Sequence, residues 1–159
     1  MYSRKIAFLD RDGVINKKAP PHQYITKVKD FKFNKGIFKL LKILQVKGYE
    51  FIIITNQRGI ARGIFTKKKL DQIHKYMIKK LKEKGIRILD IFYCPHEKNS
   101  CNCRKPKPGL IHQALNKYAI NLVKSILISD NEKDIIMGQS LGIEKCFKIS
   151  YNKPQLMIK

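Results

Sequence analysis

Short apolar runs alternate with amphipathic stretches along most of the chain. Five of the runs have the composition of buried strands, being rich in β-branched and aromatic residues. They lie at 5–9, 51–54, 88–93, 125–129 and 145–149. Between the runs, apolar residues recur at the spacing of helices with one buried face. The predicted helices cover 36–48, 67–84, 110–118 and 132–141.

This alternation of strands and helices predicts an α/β fold. We expect a three-layer, Rossmann-like parallel sheet with helices on both faces. The connections after the first and second strands are too short for a large cap domain. Residues 1–159 are therefore expected to form a single domain, with a loose tail from Ser150.

Two carboxylates, Asp10 and Asp12, follow the first predicted strand directly. In an extended backbone this spacing points both side chains the same way, and Arg11 away from them. Gly13 then allows the chain to turn off the strand end. Paired carboxylates bind a hard divalent cation such as Mg²⁺, and one of them can attack phosphorus. The same four-residue pattern also occurs in ordinary surface turns.

Polar residues also follow the second and fourth predicted strands. Ligands of open α/β sheets bind at the carboxyl ends of the strands, where these residues lie. The hydroxyl of Thr55 and the turn after it can bind phosphate oxygens. Asp130 can supply a third carboxylate to a cation, or it can cap the next helix. Asp134, one helical turn later, can orient its neighbours.

Three cysteines and a histidine cluster after the third strand, at Cys94, His96, Cys101 and Cys103. Three thiolates and an imidazole form a complete tetrahedral Zn²⁺ set, with no position open to water. We therefore expect a structural zinc ion that fixes this loop. A disulfide is the alternative, which a reducing compartment disfavours. Cys146 stands apart in an apolar context and is expected to be buried.

A basic turn follows the last of these ligands. The zinc loop would hold Arg104 and Lys105 in place. A lysine acts on a phosphoryl group as a point charge, whereas an arginine can grip it through two bonds. A solvated basic turn is the alternative in a chain this rich in lysine.

The formal net charge is +22, from 34 lysines and arginines against 12 acidic residues. Lysines lie along the whole chain, only six of the basic residues are arginine, and no nucleic-acid-reading motif is present. We expect the charge to steer anionic substrates, without a specific nucleic-acid partner. A zinc-stabilised basic module that binds nucleic acid is the alternative of another class.

The apolar runs are too short for a membrane span, and the first residues are too polar for a signal peptide. The sequence therefore predicts a cytoplasmic protein without a membrane partner.

Four segments, in this order, resemble the haloacid dehalogenase superfamily of phosphatases over almost the whole chain. They are Phe8–Asn16, Thr55–Gly63, Cys94–Gly109 and Ser129–Asp134. The zinc loop with its basic turn resembles the branch of heptose-1,7-bisphosphate 7-phosphatases. Histidinol-phosphate phosphatases share that loop and are the alternative, and phosphatases of DNA 3′ ends also occur in the superfamily. Gly59–Gly63, followed by Phe65 and Thr66, favours the heptose branch.

The resemblance implies a Mg²⁺-dependent phosphatase that works through an aspartyl-phosphate. Asp10 would be the nucleophile, and Asp12 would protonate the leaving sugar oxygen and then activate water. Mg²⁺ would be held by the carboxylates of Asp10 and Asp130 and the backbone carbonyl of Asp12. Thr55 and Lys105 would stabilise the phosphoryl group. Asp12 must be protonated for the first step, and we expect neighbouring anions to raise its pKa.

The resemblance also implies a small phosphorylated sugar as substrate, loss of its C7 phosphate, and a monomeric enzyme. Residues expected to contact the rest of the substrate are Arg11, Asn56, Gln57, Arg58, Arg104 and Asn131. Two stretches depart from the family pattern. Ser129 replaces a glycine, and Lys17–Tyr24 differs from the segment expected beside the active site. Because that second stretch borders the active site in the family, its departure leaves the identity of the substrate open.

Overall fold

The computed structural model describes residues 2–150, so the predicted loose tail lies outside the described residues from residue 151 onward. Each predicted strand and helix is present. Their bounds are β1 Ile6–Leu9, α1 Ile37–Val46, β2 Glu50–Asn56, α2 Lys67–Glu83, β3 Ile88–Cys94, α3 Gly109–Lys117, β4 Ile126–Ser129, α4 Glu132–Ser140 and β5 Lys145–Lys148. A short 3-10 helix, Val28–Asp30, was not predicted.

The strands form one parallel sheet in the order β3-β2-β1-β4-β5. Phe8 of the central strand β1 pairs with Ile52 of β2 on one side and Leu127 of β4 on the other. The chain winds outward to β3 and then returns to the other side of β1. A reversal of this kind opens a crevice at the carboxyl ends of the central strands. The polar residues that follow β1, β2 and β4 therefore converge there.

The two faces of the sheet carry different helices, as the three-layer prediction requires. Ala7 and Leu9 of β1 face one buried cluster with α1 and α2, whereas Ile6 and Phe8 face a second with α3 and α4. These four side chains are fully buried. Each buried Leu, Ile or Phe contributes roughly 1.5–3 kcal/mol. The sheet is thus a rigid base for the residues at its carboxyl edge.

The connections after β1 and β2 remain loops beside the sheet, and neither forms a cap domain. Asn34 ties the first of them together, because its side-chain amide donates to the carbonyls of Val14 and Asn16 at 3.0 and 3.2 Å. The second runs over only ten residues, 57–66, before α2. No helix within residues 2–150 is long and apolar enough to cross a membrane.

The side chain that caps α4 is Asn131, not Asp130. Oδ1 of Asn131 accepts from the backbone N–H of Lys133 at 3.0 Å. This corrects the alternative in which Asp130 caps the helix. The carboxylate of Asp130 instead lies beside the turn after β1.

Candidate active site

A buried ion-pair cluster joins the ends of β1 and β4. Nζ of Lys105 lies 3.1 Å from Oδ1 of Asp10 and 2.8 Å from Oδ2 of Asp134. The hydroxyl of Ser129 donates to the same Asp134 oxygen at 2.8 Å. Burial disfavours the charged form of Lys105, but Asp10 and Asp134 outweigh it and raise its pKa. The cluster thus holds a positive charge against Asp10.

Asp10 itself has an unusual affinity for a proton. Burial raises its pKa to about 6, and the nearby carboxylates of Asp134 and Asp130 add to the rise, while Lys105 opposes it. Additional positive charge would stabilise the ionised form of Asp10. A bound cation would supply that charge.

Asp12 is held by hydrogen-bond donors rather than surrounded by anions. Its Oδ1 accepts from Nη2 of Arg11 at 2.9 Å and from Nδ2 of Asn16 at 2.8 Å, and its Oδ2 accepts from Nε2 of Gln57 at 3.1 Å. Burial alone would raise the pKa of Asp12, but these partners, Arg11 foremost, lower it. The expectation that neighbouring anions raise this pKa is therefore wrong for the free site.

The side chain of Arg11 does not point away from the carboxylate pair, as its place in the sequence predicted. It has no exposed surface and curls back under Asp12, with Nε and Nη2 both bonded to that carboxylate. The chain turns at residue 11, so the strict alternation of an extended strand ends before it. Arg11 thus lies beneath the site, where a bound molecule cannot reach it.

The surroundings of Asp130 fit a cation with oxygen ligands. Its Oδ1 is buried and has no hydrogen-bond partner among residues 2–150. The ammonium of Lys18 pairs with the same carboxylate, so the position already attracts positive charge. Gly13 has a φ of 93°, and a Cβ there would overlap the Asp130 carboxylate. The missing side chain of Gly13 thus makes room for Asp130 beside Asp10, a donor set typical of Mg²⁺.

The end of β2 brings its polar residues to the same edge. Nε2 of Gln57 donates both to Oγ1 of Thr55 at 3.0 Å and to Asp12. Asn56 makes paired 3.0 Å bonds to the backbone N–H and carbonyl of Lys105. Gln57 is buried against Asp12 rather than open to a substrate, whereas Asn56 fixes the basic turn in register with β2.

A pocket of about 220 Å³ opens beside the ion-pair cluster. It is lined by His22, Gln23, Tyr24, Asn56, Arg58 and Arg104. Nη1 of Arg104 is buried and has no hydrogen-bond partner in the described part of the chain. Nη1 of Arg58 pairs with Oε1 of Glu97 at 3.0 Å. The pocket thus presents two arginines, together with the last three residues of the unusual segment Lys17–Tyr24. Asn131, also predicted to touch substrate, is the exposed cap of α4.

The predicted zinc ligands come together in the loop after β3. One ligand atom from each of Cys94, His96, Cys101 and Cys103 lies within 4.8 Å of the others. The Sγ atoms of Cys94 and Cys103 each lie 3.5 Å from Sγ of Cys101. A tetrahedral zinc ion with Zn–S bonds of about 2.3 Å requires about 3.8 Å between sulfurs. All four cysteines of the chain are free thiols, so the arrangement fits a metal ion and not a disulfide.

Sequence reasoning missed three side chains that support the site. They are Asn16, which bonds Asp12, Ser129, whose hydroxyl bonds Asp134, and His74, which bonds Arg11. His74 did carry a signal, because it lies among Leu70, Met77 and Leu81 on the apolar face of α2. A polar residue at such a position usually has a buried partner.

A solved structure with this fold is that of D,D-heptose 1,7-bisphosphate phosphatase from B. bronchiseptica, complexed with magnesium and phosphate. The TM-score is 0.79 at 28% sequence identity, over 91% of this chain and 78% of that chain. The class predicted from the sequence, a phosphatase of the haloacid dehalogenase superfamily, is thereby confirmed.

The chain belongs to the polynucleotide kinase 3 phosphatase family, whose model matches residues 5–146. It is 45% identical over 158 residues to D-glycero-alpha-D-manno-heptose-1,7-bisphosphate 7-phosphatase of Photorhabdus laumondii, covering 94% of this chain and 85% of that protein. It is 40% identical over 152 residues to D-glycero-beta-D-manno-heptose-1,7-bisphosphate 7-phosphatase of Helicobacter pylori strain J99, covering 94% of this chain and 86% of that protein. These relatives share one reaction type and differ in the anomer that their names give.

Proposed function

We propose that this protein is a Mg²⁺-dependent phosphatase that removes the C7 phosphate of D-glycero-D-manno-heptose 1,7-bisphosphate. The observation that carries the proposal is the Asp10–Lys105–Asp134 cluster next to a pocket with two arginines, in a chain similar to enzymes of that name. A site with one reactive carboxylate and a separate basic pocket suits a substrate with two phosphates.

Asp10 acts as the nucleophile in this proposal. A carboxylate oxygen of Asp10 attacks the C7 phosphorus, the bond from phosphorus to the sugar oxygen breaks, and Asp12 gives that oxygen a proton. Water then attacks the aspartyl-phosphate while Asp12 takes its proton, which releases inorganic phosphate and restores the Asp10 carboxylate and the protonated Asp12. Lys105 and Thr55 stabilise the charge that spreads over the phosphoryl oxygens in each step.

Mg²⁺ would be held by the carboxylates of Asp10 and Asp130 and by the backbone carbonyl of Asp12. When bound, it neutralises charge on the phosphoryl group and on Asp10. The buried, unpartnered oxygen of Asp130 supports this assignment. Asp12 would become protonated when the substrate binds, because a phosphate dianion beside a carboxylate raises the pKa of that carboxylate.

The basic pocket would receive the second phosphate. Arg104 offers a guanidinium nitrogen that has no partner among residues 2–150, and Arg58 lines the same pocket beside Tyr24. Zn²⁺ bound by the four-ligand loop would hold Arg104 in place, since Arg104 follows Cys103 directly. The two ends of the substrate would thus be recognised by separate parts of the chain.

We further propose that the reaction runs in the cytoplasm on a free sugar phosphate, by a monomer without a specific nucleic-acid partner. Thiolate ligands need a reducing compartment to stay free of disulfides, which supports the location. The residues assigned to both steps come from one chain, which supports the monomer.

The direct test follows the reaction by ³¹P NMR, with purified protein, Mg²⁺ and each anomer of the bisphosphate. The proposal predicts that the C7 resonance disappears and the C1 resonance persists in the product. Loss of the C1 phosphate, or no turnover of either anomer, would contradict it. Arg104→Ala should raise KM at least tenfold, about 1.4 kcal/mol of lost binding, whereas the exposed Arg87→Ala should leave KM unchanged.

A further inference from the structure

His74 lies in the middle of α2 with its side chain turned into the sheet, and only 7% of the residue is exposed. Its Nε2 lies 3.1 Å from Nη1 of Arg11, a contact that is buried. The edge of the Tyr93 ring lies against the imidazole, with the ring centroids 6.3 Å apart. The imidazole therefore has a fixed position, with Arg11 as its hydrogen-bonded partner and the carboxylates of Asp12 and Asp71 near enough to act on its charge.

The chemistry of the contact sets the protonation state of His74. An arginine guanidinium only donates hydrogen bonds, so Nε2 must accept and the ring must be neutral. Burial, with Arg11 adding to it, lowers the pKa of His74 to about 3. His74 is thus an acceptor throughout the neutral pH range.

Arg11 connects this imidazole to Asp12. Its Nη1 bonds His74, while Nε and Nη2 bond Oδ1 of Asp12 at 3.2 and 2.9 Å. The Phe31 ring, 5.9 Å from the guanidinium carbon, gives Arg11 contact area but no directional bond. Among the described residues, His74 is the acceptor that the structure provides for Nη1. Losing it would leave a buried donor unpaired and remove one of the contacts that orient the guanidinium.

We propose that His74 is a positioning residue, which holds the Arg11 guanidinium in the orientation that aims the Asp12 carboxyl at the leaving oxygen. The proposal rests on the function proposed above, in which Asp12 is the general acid and base. His74 touches neither substrate nor the reacting atoms. Replacing His74 should therefore slow reactions that need a proton from Asp12 and leave reactions that need none unchanged.

Two substrates separate these cases. In a primary alkyl phosphate, such as the C7 phosphate ester of the heptose, the leaving group is an alkoxide, which is a poor leaving group and needs the proton from Asp12. In p-nitrophenyl phosphate the leaving group is p-nitrophenolate, a stable anion that needs no proton. Comparing kcat/KM isolates the first phosphoryl transfer, because the later hydrolysis of the aspartyl-phosphate does not enter that ratio.

Two variants at residue 74 and one control complete the experiment. His74→Leu keeps the volume and removes the acceptor, whereas His74→Gln places an amide oxygen where it can replace Nε2. Met77→Ala weakens the packing of the same helix at a fully buried residue that makes no hydrogen bond to Arg11. Thermal unfolding of each variant reports its stability.

We expect His74→Leu to lower kcat/KM for the alkyl phosphate by about 30- to 100-fold, part of the range usual for general acid catalysis. Its kcat/KM for p-nitrophenyl phosphate should stay within about threefold of wild type, since no proton is transferred in that step. His74→Gln should recover most of the loss, and Met77→Ala should change both substrates by the same factor.

Equal losses on both substrates, or no recovery in His74→Gln, would overturn the positioning role while leaving the phosphatase intact. If the wild type hydrolyses histidinol phosphate instead of the heptose ester, the proposed substrate is wrong and the same comparison runs on histidinol phosphate. A wild type that hydrolyses no phosphate ester overturns both proposals.

Discussion

Lys105 and Asp10 form a buried ion pair with 3.1 Å between Nζ and Oδ1, although they lie 95 positions apart in the chain. Asp10 comes from the end of the central strand, and Lys105 from the turn that follows the Cys/His loop. The side chains are 3% and 13% exposed, so water screens the pair weakly. The pair thus couples the geometry of the Cys/His loop to Asp10, the proposed nucleophile.

Replacing Asp10 by Asn should abolish turnover and leave the fold intact. An amide is a poor nucleophile towards phosphorus, so we expect kcat to fall more than about a thousandfold. Phosphate release measures the activity, and circular dichroism with thermal unfolding measures the fold.

Asp30→Asn is the matched control, because it makes the same chemical change at an exposed residue. It should keep wild-type kcat. Residual activity above about one per cent in Asp10→Asn would contradict the nucleophile assignment. A nucleic-acid-binding module would instead show salt-sensitive polyanion binding that Asp10→Asn does not change.

Cys101→Ser should lose bound zinc and activity together. The loop has little core of its own, so its shape depends on the bound metal, whereas the 2.8 Å bond from Nζ of Lys107 to the backbone carbonyl of Cys101 is kept in the variant. Without the metal, Arg104 and Lys105 should move, and we expect activity to fall at least about tenfold. Metal analysis and phosphate release on the same preparation test this.

Cys146→Ser is the control for that prediction. Cys146 packs against Leu127 and Gly138, outside the four-ligand loop. It should retain about one zinc ion per chain, the stoichiometry of a single structural site, and full activity. Full activity in a zinc-free Cys101→Ser protein would show that the metal does not organise the site.

Gly13→Ala should damage the cation site through geometry alone. The backbone has a φ of 93° there, and the new methyl would overlap the carboxylate of Asp130. Gly142→Ala imposes similar backbone strain at a φ of 89° with nothing within 4 Å. Both variants should lose about 1–3 kcal/mol of stability. Only Gly13→Ala should require more Mg²⁺ for half-maximal activity, and equal requirements would refute this account of Gly13.

His74 should make the protein less stable in acid. Its pKa is about 3 in the folded protein, against 6.5 for an ordinary histidine. Between these pH values the unfolded chain binds a proton at His74 and the folded protein does not. The contribution of His74 to the free energy of unfolding is therefore complete above pH 6.5 and is lost as the pH falls towards 3. Between about pH 7 and pH 4.5 the loss should be about 2–3 kcal/mol.

Urea unfolding of wild type and His74→Gln at both pH values measures this difference. The other effects of low pH on stability, including the release of zinc, should be the same in the two proteins. The variant should lose about 2–3 kcal/mol less on acidification than the wild type does. Parallel losses would mean that His74 is charged in the folded protein.

The position of the site could be predicted because it depends on strand order and spacing. Asp10 and Asp130 each follow a strand, Thr55 lies at the end of β2, and parallel strands bring those ends to one edge. The four-ligand loop was predicted because its donors lie within ten residues of sequence, 94–103. Both predictions needed only the positions of these residues along the sequence relative to the predicted strands.

What could not be predicted depends on contacts between distant elements. The Arg11 side chain bonds His74, which lies 63 positions away on α2. The pKa of Asp12 follows from Arg11, Asn16 and Gln57, whose side chains meet only in the folded chain. Sequence spacing carries no information about these partners.

The measurement that tests the central claim most directly is phosphate release with Mg²⁺ from both heptose 1,7-bisphosphate anomers, histidinol phosphate and a 3′-phosphorylated oligonucleotide. The account predicts that one heptose anomer exceeds histidinol phosphate and the oligonucleotide in kcat/KM by about a hundredfold or more, equivalent to about 2.7 kcal/mol of transition-state binding. A higher kcat/KM for histidinol phosphate or the oligonucleotide would contradict the assigned substrate.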